Sequence, residues 1–262
     1  MAGGSTASAG GSRREPVRHE ISTADGPLPA LLWLPEGASA DAPVPGLVLV
    51  QEIFGLSDYI RSRGADLADQ GYAVLAPQVF ARLAPPVEAV EDDDPDVLGT
   101  AMGLVGQVDW ELAVRDVLGA RDALVAMPEV EDLSVGLVGF CFGGGLAFDV
   151  AARAAQAGAP VAALVSFYGS ALPGLLAQAE HVTCPSLHVF GTADSYIPSE
   201  QVEQIREAVT AGGTREQVRL ELHEGAGHAF DNPNPMFHHE EASRAAWAQA
   251  EEFLAEHLPT GR

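Results

Sequence analysis

The stretch that decides the fold is Val135–Ala155, "VGLVGFCFGGGLAFDVAARAA". An apolar run, Val135–Phe140, meets a glycine cluster and then a helix-like segment. At the junction stands Gly139-Phe140-Cys141-Phe142-Gly143, a G-x-C-x-G pattern. A strand that turns sharply into a helix needs small residues on either side of the turn, because strand and helix backbones then approach closely. The pattern is that of a nucleophile elbow with sulfur in place of oxygen. A helix N-terminus behind it offers unpaired N–H groups that favour a thiolate. Taken alone, the pentapeptide is equally readable as a buried structural cysteine beside a glycine-rich turn.

Outward from this junction, short apolar runs alternate with helical patterns. "PGLVLVQEIFG" (45–55) reads as a buried strand ending in a loop, and "DYIRSRGADLADQG" (58–71) as a helix closed by glycine. "YAVLAPQVF" (72–80) is the next strand. "PPVEAVEDDDPDVLGT" (85–100) is proline-broken and acidic, an exposed loop or weak helix whose charges face water. "DWELAVRDVLGARDALVAM" (109–127) is an amphipathic helix capped by Asp109. Further strands fall in 160–169, 184–194 and 217–230. Helices are expected over 199–213, with Ser199 as cap, and over 238–258. The alternation predicts an α/β fold: a mostly parallel central sheet with helices on both faces, in three α/β/α layers. Sites in such sheets gather beyond the carboxyl ends of the strands.

Composition sets the boundaries. The 262 residues are 47% hydrophobic, enough for one sizeable core. The net charge is −23, and the chain contains no lysine. Such a surface repels polyanions, so neither nucleic acid nor an anionic membrane is expected as a partner. The first 17 residues, rich in Gly, Ser and Ala, are expected to be a disordered tail. The remainder, 18–262, is expected to form a single domain. Arg13 and Arg14 form a twin-arginine pair with no apolar segment after it, which argues against a signal peptide. Two cysteines far apart, with no CxxC, imply no disulfide framework and a cytoplasmic, reducing setting.

An elbow enzyme needs an acid and then a histidine, in that chain order, each on a loop after a later strand. "HVFGTADSYIP" offers Asp194 and "LELHEGAGHAF" offers His228. In this reading His228 moves protons to and from the thiol and the leaving group, and Asp194 fixes its tautomer. Asp194 read alone is equally a turn cap, and His228 a loop histidine. Their agreement in order and placement with Cys141 favours the catalytic set. An oxyanion hole is expected from the N–H groups of Phe142 and Ile53. Glu52, beside Ile53, is placed to accept the thiol's hydrogen bond or proton.

Together, "QEIFG" (51–55), "QGYAVLAPQVFAR" (70–82), "VGLVGFCFGGGLAF" (135–148), "FYG" (167–169), "GTADSYIP" (191–198) and "GAGHAF" (225–230) resemble the dienelactone hydrolase (carboxymethylenebutenolidase) family of the α/β-hydrolase fold, over about residues 20–257. The resemblance implies a Cys141–Asp194–His228 triad that opens enol-lactones without metal or cofactor. It also implies that Glu52 holds the resting thiol until substrate displaces it. A thiolate generated only on demand is protected from oxidation.

Family members bind the lactone carboxylate with two arginines. "PQVFARLAP" supplies Arg82 as the first. At the second, within "GHAFDNPN", this chain has Asp231 and Asn232. Losing a bidentate cation there, with Asp231 adjacent, disfavours an anionic substrate. Tyr168 is a possible substrate contact or a core aromatic. His223, His238 and His239 lack the spacing of a helical metal site. Cys184 reads as core.

The expected activity is opening of a small lactone or cleavage of an activated ester through a thioester, by a monomer or small homo-oligomer. Two alternatives stand beside it. One is a broad carboxylesterase for neutral substrates, and the other a thiol redox or non-catalytic binding protein.

Overall fold

The structure, a computed structural model, describes residues 14–90 and 94–261. Eight strands form one sheet: β1 Val17–Thr23, β2 Gly26–Trp33, β3 Val44–Val50, β4 Ala73–Pro77, β5 Val130–Phe140, β6 Leu164–Phe167, β7 Ser186–Gly191 and β8 Val218–His223. Their order is β1-β2-β4-β3-β5-β6-β7-β8. β1 and β2 pair antiparallel, as do β2 and β4; every other neighbour pair is parallel. The six α-helices are α1 Asp58–Asp69, α2 Val97–Val105, α3 Trp110–Val125, α4 Phe142–Gln156, α5 Ser199–Thr210 and α6 Glu240–His257.

The central strands are apolar along nearly their whole length because both faces are covered. Leu47, Val48, Leu49 and Val50 of β3 and Val74, Leu75 and Ala76 of β4 are all fully buried. α1 and α6 lie side by side, with Gln70 after α1 donating to Glu251 of α6 at 3.0 Å. α3 and α4 pack together against β3 and β5. Asp109 caps α3, accepting from the Leu112 N–H at 3.0 Å.

Four expectations are adjusted. The β1–β2 hairpin was not read from the sequence. The expected tail lies, for residues 1–13, outside the described residues. Arg14, however, donates to the Leu34 carbonyl at 3.0 Å, and Val17 already opens β1. Ser199 is the first residue of α5 and makes no capping hydrogen bond; Pro198 occupies the cap position. Within the acidic 85–100 stretch, Asp96 accepts from the Gly99 N–H and starts a true helix, α2.

Candidate active site

Cys141 sits between the end of β5 and the start of α4 with φ 53° and ψ −116°. A side chain other than glycine's rarely adopts this backbone, which costs about 1–3 kcal/mol unless the surroundings hold it. Here they do. The Cys141 N–H donates to the Phe167 carbonyl at 3.0 Å, and its own carbonyl accepts from Gly144 and Ser170 N–H groups at 3.0 Å each. The flanking glycines are required by closeness. A Cβ on Gly139 would lie 2.2 Å from the Gly143 carbonyl oxygen, and one on Gly143 would lie 2.3 Å from that of Gln51.

The turn aims the thiol at His228, whose Nε2 is 3.1 Å from Cys141 Sγ. His228 Nδ1 is 2.7 Å from Asp194 Oδ2. The second oxygen of Asp194, Oδ1, accepts from the N–H groups of Tyr196 (2.8 Å) and Ile197 (3.0 Å). Asp194 thus meets the turn with one oxygen and the imidazole with the other. Burial works against the imidazolium. The hydrogen bonds with Asp194 and Cys141 outweigh it and raise His228 to about 10. Among the described residues, no backbone carbonyl accepts from the N–H of Ile53 or of Phe142.

Cys141, Phe142, Ile53, Glu52 and His228 line one small cavity of about 120 Å³. Its remaining wall is mostly apolar: Phe54, Phe237 and, from α2, Leu98, Met102 and Val105, with Ser170, Tyr196 and Ala229. The spacing of 98, 102 and 105 places them on one helix face, a signal hidden in the sequence by the surrounding acids. Ser170 was also not singled out; its Oγ lies 3.8 Å from the sulfur. No arginine lines this cavity among the described residues.

Several other candidates are placed differently. Arg82 does not line the Cys141 cavity. It makes a two-pronged pair with buried Asp116 (2.9 and 2.8 Å) and reaches Thr23 Oγ1 and the Asp25 carbonyl, so the guanidinium fastens β1–β2 to α3. Glu52 makes no hydrogen bond to the thiol; its Oε1 accepts from Asn232 Nδ2 at 2.7 Å, and its Oε2 is buried without a partner. Burial raises the Glu52 carboxyl to about 8, against the lowering effect of the Asn232 hydrogen bond. Asn232 lines a neighbouring cavity, with Ser57, Asp58 and Pro233, rather than the one at Cys141. Tyr168 is fully buried behind His228, its ring edge-on to the imidazole at 5.4 Å. Asp231 faces away from the cavity altogether, toward Arg63. Cys184 is buried, and burial pushes its thiol up to about 12. His239 caps α6, accepting from the Ala242 N–H, and His223 packs on Phe230. Among the described residues, no helix is long and apolar enough to cross a membrane.

The sequence profile of the dienelactone hydrolase family matches residues 28–258. This chain belongs to the dienelactone hydrolase family. It is 33% identical to the carboxymethylenebutenolidase of Pseudomonas putida over 220 residues, 84% of this chain and 89% of that one. A second carboxymethylenebutenolidase, from Cupriavidus pinatubonensis, is 30% identical over 223 residues, 85% of this chain and 90% of that one. Among solved structures, a protein from Klebsiella pneumoniae subsp. pneumoniae MGH 78578 assigned to the dienelactone hydrolases superposes with a TM-score of 0.77 at 26% identity, covering 92% of this chain and 98% of that one. A dienelactone hydrolase-like promiscuous phosphotriesterase from metagenomic libraries gives 0.72 at 26% identity, covering 93% and 99%. The fold is that of the α/β-hydrolases, and the protein is a hydrolase of the dienelactone hydrolase type.

Proposed function

We propose that this protein hydrolyses a small lactone or activated ester through a thioester on Cys141. The observation that carries the reading is the continuous line from Cys141 Sγ to His228 Nε2 (3.1 Å) and from His228 Nδ1 to Asp194 (2.7 Å), mounted on the elbow. In this reaction Cys141 passes its thiol proton to His228 Nε2, and the sulfur attacks the carbonyl carbon. The N–H groups of Ile53 and Phe142 receive the charge that develops on the carbonyl oxygen. His228 gives its proton to the leaving oxygen as the ester C–O bond breaks. Water, deprotonated by His228, then attacks the thioester and releases the acid and the thiol. Asp194 holds the imidazole so that Nε2 faces sulfur throughout. The names of two relatives point to a carboxymethylene-bearing butenolide, and this reading takes over its lactone ring but not its carboxylate.

The apolar wall and the diversion of Arg82 to Asp116 support a neutral substrate over one bearing a carboxylate. A desolvated carboxylate without a cation would be costly in such a cavity. The test is kcat/KM for matched lactones and phenyl esters with and without a carboxylate, for wild type and Cys141→Ala. We expect Cys141→Ala to lose about 10⁴-fold or more, and the neutral member of each pair to be preferred. Undiminished turnover by the alanine variant would remove the cysteine mechanism. A marked preference for the carboxylate form would remove the neutral-substrate reading.

A further inference from the structure

The sequence after the histidine, Ala229-Phe230-Asp231-Asn232, forms a tight turn, with Ala229 at φ 56° and the Asn232 N–H donating to the Ala229 carbonyl at 2.9 Å. The His239 N–H also donates to the Phe230 carbonyl at 3.0 Å, and the Asp231 carboxylate, which is 1% exposed, adds most of the turn's side-chain ties. It accepts from Arg63 Nε (3.0 Å) and Nη2 (2.6 Å), Tyr59 Oη (2.6 Å), Ser243 Oγ (2.6 Å) and Trp247 Nε1 (2.9 Å). Tyr59 and Arg63 belong to α1, Ser243 and Trp247 to α6. The carboxylate thus ties the turn to both helices at once.

A second arm leaves from the same place. Because Tyr59 gives its hydroxyl proton to Asp231, its oxygen is left to accept from the Tyr168 hydroxyl, 3.1 Å away. Tyr168 in turn braces the His228 ring. His228 is therefore held along the chain through the turn and from behind through Tyr59 and Tyr168, and both routes end on Asp231. A buried ion pair is a weak means of adding stability alone, since apolar packing does as well. It does fix one orientation of what it touches.

We infer that Asp231, through Tyr59 and Tyr168, is a positioning residue that sets the His228 imidazole against the Cys141 sulfur. The inference rests on the proposed catalytic roles of Cys141 and His228. Asp231 touches neither the cavity nor the reacting atoms, so its loss acts on the geometry of the chemical step. Substrate contacts stay as they are.

The experiment compares Asp231→Asn, Tyr59→Phe and Ser243→Ala with wild type in full-length protein. The readouts are kcat and KM for a neutral phenyl ester, and the pH profile of Cys141 alkylation by iodoacetamide, followed by peptide mass. Iodoacetamide reads the thiolate directly and needs no turnover. Misplacement of a reacting group by about 1 Å can cost on the order of 100-fold. We expect kcat to fall about 10-fold or more in Asp231→Asn and about 5-fold in Tyr59→Phe, with KM within about two-fold. The alkylation midpoint should rise in both. Ser243→Ala, which keeps the Tyr59 arm, should change least. If Asp231→Asn does not fold, the single-hydroxyl variant Tyr59→Phe decides. Wild-type kcat and an unmoved alkylation profile, with only melting temperature lowered, would overturn the inference and leave a purely structural role. Cys141→Ala run alongside separates the two ideas: if that variant turns over, the cysteine mechanism fails, whereas the alkylation profile still reports the Cys141–His228 coupling.

Discussion

Glu52 and Asp231 are both buried carboxyl groups, and they flank the same residue. Glu52 accepts from the side chain of Asn232, and Asp231 precedes Asn232 in the chain. On the cavity side, Glu52 has a single hydrogen bond, an orphaned second oxygen and a carboxyl raised by burial to about 8. On the helix side, Asp231 has four donor side chains, one of them the guanidinium of Arg63, which also stacks over the Trp247 ring at 4.5 Å. Burial is nearly equal, so partners make the difference. A carboxylate with a cation and several donors can stay charged in the interior, and one without them takes up a proton. Of the two, Asp231 is the carboxyl tied down by donors, and Glu52 the one that burial disposes to keep a proton.

The sharpest way to break this contrast is to strip Asp231 of its cation. Arg63→Met should cost about 3 kcal/mol in urea unfolding at neutral pH, because a buried anion is left uncompensated. A loss under about 1 kcal/mol would mean that the ion pair does not distinguish the two carboxyls.

Glu52 makes the opposite prediction, through pH. Its folded value lies above its unfolded one, so the folded state keeps a proton that the unfolded chain releases. That preference is fully present below about 4.5 and is lost as pH climbs through about 8. Glu52→Gln should therefore match wild type near pH 4 and exceed it above pH 8, by up to about 5 kcal/mol. Parallel stability curves for the two proteins would remove the contrast.

A smaller effect sharpens it. Asn232→Ala deletes the hydrogen bond to Glu52 and should lower stability by about 1–2 kcal/mol above pH 8, where the carboxylate needs the donor. Near pH 5 the loss should be less. Equal losses at both pH values would mean that Asn232 does not sense the charge on Glu52. The smallest effect is on activity. Arg82→Ala should leave kcat/KM for a neutral ester within about two-fold, since its guanidinium is committed to Asp116. A selective rise in KM would place Arg82 back at the substrate.

How much of this was visible in the chain depends on how local each signal is. The elbow at Cys141 is written in five consecutive residues, and Asp194 and His228 each follow an apolar run, so strand ends and residue types pointed to them. The β1–β2 hairpin was missed because Pro27 and Pro29 interrupt the strand pattern, although Pro29 still lends its carbonyl to the Gln78 N–H at 2.8 Å. The cavity-facing stripe of α2 was hidden by the acids that precede it. Arg82 and Asp231 have chain neighbours that suggest the substrate region. Each is turned away by a partner distant in sequence, Asp116 for the one and Arg63 for the other.

The layered α/β architecture and the order of the residues at its strand ends are legible in the chain alone. Hydrophobic periodicity and turn chemistry are short-range properties, read from residues a few positions apart. Which charges meet was decided only in the tertiary structure. A carboxylate takes its character from the donors around it, and those around Asp231 come from two helices about 170 positions and about 15 positions away along the chain.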